Sequence, residues 1–110
     1  MKIYLAGPMS GIQFYNFPAF DAAAARLRAL GHSVVSPADL DREHGFDGMS
    51  GDPAPFTHRD VMRWDLPAVL DADVVAVLPG WQASKGTAIE LAVARGVGIP
   101  VLDAETLEAV

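Results

Sequence analysis

Residues 73–102 read "DVVAVLPGWQASKGTAIELAVARGVGIPVL" and carry the clearest fold signal in the chain. Two short apolar runs, "DVVAVLPG" and "IPVLD", are bounded by glycine or proline, which predicts two buried strands. The segment "GTAIELAVARG" between them predicts a helix that ends at Gly96. A strand, a helix and a second strand in this order predict a parallel βαβ unit.

The rest of the chain continues this alternation. "KIYLAG" and "HSVVSP" predict two further strands, and "THRDVMRWDLPAVLDA" predicts a helix capped by Thr57 that Pro67 kinks or breaks. "FPAFDAAAARLRALG" predicts a helix whose apolar face consists of Phe17, Phe20, Ala24, Leu27 and Leu30. "AETLEAV" is expected to form a short closing helix or a tail. Residues 38–55 show no period, which predicts a long loop.

Together these elements predict one α/β domain over residues 1–110. We expect a mostly parallel sheet of four to five strands with helices on both faces, in a Rossmann-like or flavodoxin-like arrangement. The length of 110 residues fits one domain, and 51% hydrophobic residues can fill its core.

The composition also excludes several classes of protein. A net charge of −6 disfavours binding to polymeric nucleic acid, and the lack of cysteine excludes thiolate chemistry and disulfides. The apolar run before Gly7 is too short for a signal peptide or a membrane span, so we expect a cytoplasmic protein with no membrane contact. The histidines lack metal-ligand spacing, and we expect neither metal nor cofactor.

Two glycine-containing loops follow predicted strands and precede helices. In parallel sheets, ligands bind beyond the carboxyl ends of the strands. Both loops could hold an anion with backbone amides. Each loop can also be explained without a ligand, the first as a tight turn and the second as a helix N-cap. Their candidate residues are Gly7, Ser10 and Gly11 in "GPMSG", and Ser84, Lys85 and Gly86 in "ASKGTAIE".

Glu90 is unusual because it stands among apolar residues in "TAIELAVA". Glu90 either lies on a solvent-facing stripe of the helix, or it is buried and has a functional role. No Ser-His-Asp arrangement is visible, which leaves carboxylate chemistry, and a glutamate nucleophile suits attack at an anomeric carbon. Spacing alone does not distinguish Asp65 from the neighbouring aspartates.

Three segments, "KIYLAGPMSG", "RWDLPAVLDADVVAVLPG" and "SKGTAIELAVARGVGIPVL", resemble the nucleoside 2-deoxyribosyltransferase superfamily, and in particular a branch that opens with "YLAGPMSG". The resemblance implies that Glu90 attacks C1′ of the sugar and holds the glycosyl-enzyme intermediate. It implies that Tyr4 orients Glu90, that Asp65 binds sugar hydroxyls, and that Gly86 belongs to the loop before the catalytic helix.

The chain departs from the transferases at Ser84, where they usually carry an aspartate that handles the base. The related 5′-monophosphate N-glycosidases have a serine there that contacts phosphate, and their first loop also grips phosphate, where Ser10 and Gly11 fall. This chain lacks the arginine usual in those enzymes, and Lys85 is a candidate substitute. The resemblance therefore favours N-glycosidase activity over base exchange.

The expected ligand is a small nucleotide or nucleoside, and relatives imply a homo-oligomer. The alternative function is a catalytically silent module that binds or senses a nucleotide. We also expect residues 38–55 to act as a mobile lid over the base, because lids exclude water from reactive intermediates.

Overall fold

A four-stranded parallel sheet forms the centre of the computed structural model, which describes all residues from Met1 to Val110. The strands lie in the order β2-β1-β3-β4. Their bounds are β1 (Lys2–Ala6), β2 (Ser33–Val35), β3 (Val74–Val77) and β4 (Val101–Asp103). Each strand is a short apolar run because both faces of the sheet are covered. The predicted parallel sheet of four to five strands is confirmed.

Four helices cover the sheet: α1 (Phe17–Ala29), α2 (Pro37–Glu43), α3 (His58–Asp71) and α4 (Lys85–Gly96). Side chains alternate along β1, so Ile3 and Leu5 pack in the core with α1. Tyr4 and Ala6 point to the opposite face, where they join the core formed with α3 and α4. The prediction of helices on both faces is therefore confirmed, and the fold is Rossmann-like.

The two central strands, β1 and β3, mark the point where the strand order reverses. From β1 the chain crosses to β2 on one side, and the later strands β3 and β4 lie on the other side. The loops after β1 and β3 leave the sheet next to each other. A Cβ atom on Gly7 would lie 2.9 Å from Cβ of Leu78, so only glycine fits this close approach. Ligand sites in open α/β sheets form at this position.

The prediction of an unbroken loop over residues 38–55 is wrong at its first part. Ser36 accepts a hydrogen bond from the backbone N–H of Ala38, and Pro37 occupies the first turn of α2. A serine cap followed by proline is a helix start signal, but α2 is only 7 residues long and shows little periodicity. Residues 47–55 contain one short 3₁₀ turn, Gly48–Ser50, and otherwise no regular secondary structure. The proposed role of residues 38–55 as a mobile lid stays a prediction.

Three smaller expectations also need correction. Leu30 is 66% exposed, because α1 ends at Ala29 and Leu30 turns outward. Pro67 does not break α3; it lies on the exposed face, where water can bind the carbonyl group that its ring leaves unpaired. "AETLEAV" forms no helix but a turn that brings Ala109 into a bridge with Leu102. None of the helices has the length and apolar character needed to cross a bilayer.

Candidate active site

A cavity of about 590 Å³ opens at the carboxyl edge of β1 and β3. Its walls come from the loops after these strands, from α2, from α3 and from the first turns of α4. A cavity of this volume accommodates a small-molecule ligand. Most of the residues predicted for a site line it: Gly7, Ser10, Asp65, Ser84, Lys85, Gly86 and Glu90.

Glu90 lies in the wall of this cavity and is only 4% exposed. It is placed there by α4, whose start is set by Ser84: the serine hydroxyl accepts a hydrogen bond from the backbone N–H of Thr87. Glu90 then falls between one and two turns into the helix, on the face that packs against the sheet. The reading of Glu90 as part of a solvent-facing stripe is therefore wrong.

Tyr4 lies beneath the cavity and is fully buried. Its hydroxyl donates a hydrogen bond to a carboxylate oxygen of Glu90. Burial, followed by the charges of Glu90 and Asp65, raises the pKa of Tyr4 well above 10.0, so the hydroxyl keeps its proton. Tyr4 therefore acts as a fixed donor that orients one oxygen of Glu90.

Asp65 extends from α3 into the same wall and is 3% exposed. Burial raises the pKa of both Asp65 and Glu90, and the charge of Glu90 raises the pKa of Asp65 further. The hydrogen bond from Tyr4 lowers the pKa of Glu90 against this trend. Of the two carboxyl groups, Asp65 holds its proton more tightly, so Glu90 is the group of the pair that ionises first.

The two glycine-containing loops meet at the cavity, but one of their predicted residues does not line it. Ser10 and Ser84 line the same cavity, and Lys85 and Gly86 begin α4 there. Gly11 does not line it; this glycine is exposed and adopts a φ of 80° in the turn that leads away. Ser84 is the helix cap that the sequence suggested, which leaves its hydroxyl proton free to donate.

Sequence reasoning missed one wall of the cavity. Tyr15, Phe46 and Phe56 line it, with Tyr15 and Phe56 each packed edge-on against Phe46 at centroid distances of 5.2 and 6.1 Å. Asp41 of α2 lines it as well. Two of these four residues, Asp41 and Phe46, fall in the region without periodicity, where the available signal was the Ser36-Pro37 helix start.

No group of three or more His, Asp or Glu side chains is arranged to hold a metal ion. The chemistry that the cavity offers is carboxylate chemistry: an oriented, buried carboxylate at Glu90, and a neighbouring carboxyl at Asp65 that can both donate and accept.

Comparison with solved structures matches this architecture to a nucleoside-processing class. A 2-deoxyribosyltransferase from the psychrotolerant bacterium Bacillus psychrosaccharolyticus superimposes with a TM-score of 0.64 and 28% identity. The match covers 93% of this chain and 70% of that chain, and that enzyme is described as a biocatalyst for the synthesis of nucleosides. No curated protein matches the chain.

The fold and the structural match define a protein of the nucleoside 2-deoxyribosyltransferase superfamily, as the sequence segments suggested. Within it, the chain belongs to the family described as Domain of unknown function (DUF4406), which matches residues 1–103.

Proposed function

We propose that this protein cleaves or transfers the N-glycosidic bond of a nucleoside or nucleotide, with Glu90 as nucleophile. The observation that carries the proposal is the buried hydrogen bond from Tyr4 to Glu90 at the wall of the cavity. A carboxylate held in one orientation next to an empty volume is suited to attack an electrophilic carbon. The match to a 2-deoxyribosyltransferase supports the choice of a sugar C1′ as that carbon.

The chemical roles follow from the protonation states. Ionised Glu90 attacks C1′ as the bond to the base breaks, through a transition state that resembles an oxocarbenium ion. Tyr4 holds the carboxylate and keeps it partly ionised despite burial. Asp65 has a buried Oδ1 without a hydrogen-bond partner, which fits a group that binds a sugar hydroxyl.

The cavity walls suit the two ends of a nucleoside. The aromatic side chains of Tyr15, Phe46 and Phe56 offer an apolar surface to a planar base. At the other end, Ser10, Ser84 and the first backbone amides of α4 could hold the 5′ group, and Lys85 adds the positive charge that a phosphate needs.

Hydrolysis is favoured over base exchange. Ser84 occupies the position at which the transferases usually carry a base-handling aspartate, and its hydroxyl already caps α4. With no such group to position a second base, water is the simpler acceptor of the sugar.

The test is incubation with a panel of ribo- and deoxyribonucleosides and their 5′-monophosphates, with chromatographic detection of free base. Parallel reactions with a second base distinguish transfer from hydrolysis. We expect base release by the wild type and its loss by several orders of magnitude in Glu90→Gln, because the amide cannot form the covalent bond to C1′ that the mechanism assigns to Glu90. Glu43→Gln, an exposed change on α2, serves as the matched control.

Binding of a nucleotide without turnover would instead support the alternative function, a catalytically silent module that binds or senses a nucleotide. It would appear as a ligand-dependent rise in the thermal midpoint of wild type with no base released from any substrate. Full activity in a folded Glu90→Gln variant would remove the glutamate nucleophile.

We also propose that the protein is a homo-oligomer. Large apolar side chains are exposed on α3, on α4 and directly after α4: Leu70 is 54% exposed, Ile89 43% and Val97 60%. Burial of these side chains against a second copy of the chain would remove them from water and stabilise the assembly. Light scattering coupled to size exclusion tests this, and a monomer at micromolar concentration would contradict it.

A further inference from the structure

Asp41 is a buried carboxyl group to which neither the fold nor the proposed nucleophile assigns a task. It lies on α2, is 6% exposed and lines the same cavity as Glu90. Its Oδ1 atom is buried and has no hydrogen-bond partner. An unsatisfied buried carboxyl oxygen destabilises a fold, so its position at the wall of a cavity points to a ligand group that binds it.

The groups around Asp41 do not neutralise it. Arg42 is engaged with Asp21 at 2.7 Å and with Asp39 at 3.0 Å, both away from the cavity. His44 stacks on the indole of Trp64 with a centroid distance of 3.8 Å. The buried Nε1–H of Trp64 lies near Asp41 but does not reach hydrogen-bond geometry.

On the cavity side, one other carboxyl group, that of Asp65, lies near Asp41. Its charge raises the pKa of Asp65, which places the two groups in electrostatic contact. Burial in turn raises the pKa of Asp41 to about 6, against the lowering effects of Trp64, His44 and Arg42. A base bound in the cavity would displace the remaining water and favour the protonated form further.

Departure of a nucleobase needs a proton, because the base would otherwise leave as an anion. In carboxylate glycosidases, a carboxylic acid with a raised pKa protonates the leaving group while a second carboxylate attacks the sugar. In the mechanism proposed above, Glu90 is the attacking carboxylate and Asp65 binds a sugar hydroxyl, so no group is yet assigned to protonate the base. Ser84 cannot supply the acid, since a serine hydroxyl does not give up its proton at neutral pH.

We propose that Asp41 is the general acid of this site, and that it binds the nucleobase and protonates it as it leaves. The inference rests on the proposed function. Glu90 forms a bond to C1′ while the C1′–N bond breaks, its electron pair passes to the base, and the proton of Asp41 goes to a base nitrogen. Water then attacks C1′ and returns a proton to Asp41, which releases the free sugar and regenerates the Glu90 carboxylate.

The experiment compares two purine nucleosides that differ in their need for a proton. An ordinary guanine nucleoside requires the acid, whereas a 7-methylguanine nucleoside already carries a positive charge on the base and leaves without one. We expect Asp41→Asn to lower kcat/KM by about 10²–10⁴-fold on the first substrate, the usual range for a general acid, and by less than about 5-fold on the second.

Two controls keep the outcome specific. Glu43→Gln on the exposed side of α2 should leave both rates unchanged. Asp41→Ala should regain part of its activity on the ordinary nucleoside when formate is added, since the removed side chain leaves room for a small acid. Folding is checked by circular dichroism and by the thermal midpoint of each variant.

Equal losses on both substrates, or no loss on either, would overturn the role of Asp41 while Glu90→Gln still abolished activity on both. If Glu90→Gln retained full activity, the proposed nucleophile would fail by itself. A wild type that released no base from these two substrates or from any member of the nucleoside and monophosphate panel would overturn both proposals.

Discussion

The hydroxyl of Tyr4 donates a buried hydrogen bond to the carboxylate of Glu90, which lies 86 positions later in the chain. Tyr4 is on the central strand β1, and Glu90 is on the helix that follows the neighbouring strand β3. The contact joins the rigid sheet to the helix whose N-terminus borders the cavity. It also stabilises the ionised form of a carboxyl group whose pKa is raised by burial.

Replacing Tyr4 with phenylalanine should lower kcat/KM by roughly 10- to 100-fold, because one charge-assisted hydrogen bond of about 1.5–3 kcal/mol is lost. Since that bond lowers the pKa of Glu90, its loss should raise this pKa and shift the acidic limb of the rate profile to higher pH. A pH–rate profile of both proteins measures this. A uniform fall in rate with an unmoved acidic limb would show that Tyr4 has only a structural role.

Asp65→Asn should change how stability depends on pH. The pKa of Asp65 is raised in the folded state, so the folded protein binds more protons than the unfolded chain above about pH 4. Stability is then fully present below that pH and falls as the pH rises through the folded-state pKa. Denaturation between pH 5 and 9 should show a steeper decline in wild type than in Asp65→Asn. Asp71→Asn, an exposed change at the end of the same helix, should decline like wild type.

Lys85→Ala should distinguish nucleotide from nucleoside substrates. Lys85 is exposed at the mouth of the cavity, next to the N-terminus of α4. If it contacts a 5′-phosphate, its loss should raise KM for monophosphates several-fold, as expected for about 1 kcal/mol from a partly exposed ion pair. KM for the matching nucleosides should not change. Lys2→Ala, at the amino end of β1 and therefore far from the cavity, is the control. Equal effects of Lys85→Ala on both substrate types would argue against a phosphate site.

Gly48→Ala should destabilise the protein by about 1–3 kcal/mol. A Cβ atom there would lie 2.8 Å from the carbonyl oxygen of Phe14 and 2.8 Å from the ring of Phe17. Phe14 belongs to a run of three left-handed residues with φ between 51° and 60°, which packs the turn after β1 against residue 48. Urea denaturation measures the change. Gly96→Ala, with open space around the added atom, should be neutral or slightly stabilising.

Local patterns were sufficient for most of the architecture. The continuous apolar runs of the four strands, the stop at Gly96 and the Thr57 cap of α3 are signals within a few residues, and each corresponds to an element in the structure. The parallel sheet followed from their alternation, because a helix between two strands can carry the chain back to the starting end of the sheet, so that the next strand runs in the same direction. Helix α2 was missed because two turns are too few to establish a period.

The site itself needed distant parts of the chain to come together. Tyr4, Asp41, Asp65 and Glu90 come from four different elements, and no pattern of spacing relates them. The family resemblance pointed to Tyr4, Asp65 and Glu90. Nothing in the sequence around Asp41, "ADLDRE", indicated that this aspartate lines a cavity. Whether a carboxyl group is solvated, paired or left unpartnered at a cavity depends on which elements pack around it. The burial of a carboxyl group and its distance from other charges depend on residues that are far apart in the sequence. The protonation of these groups is therefore decided by how α2, α3 and α4 pack against the sheet.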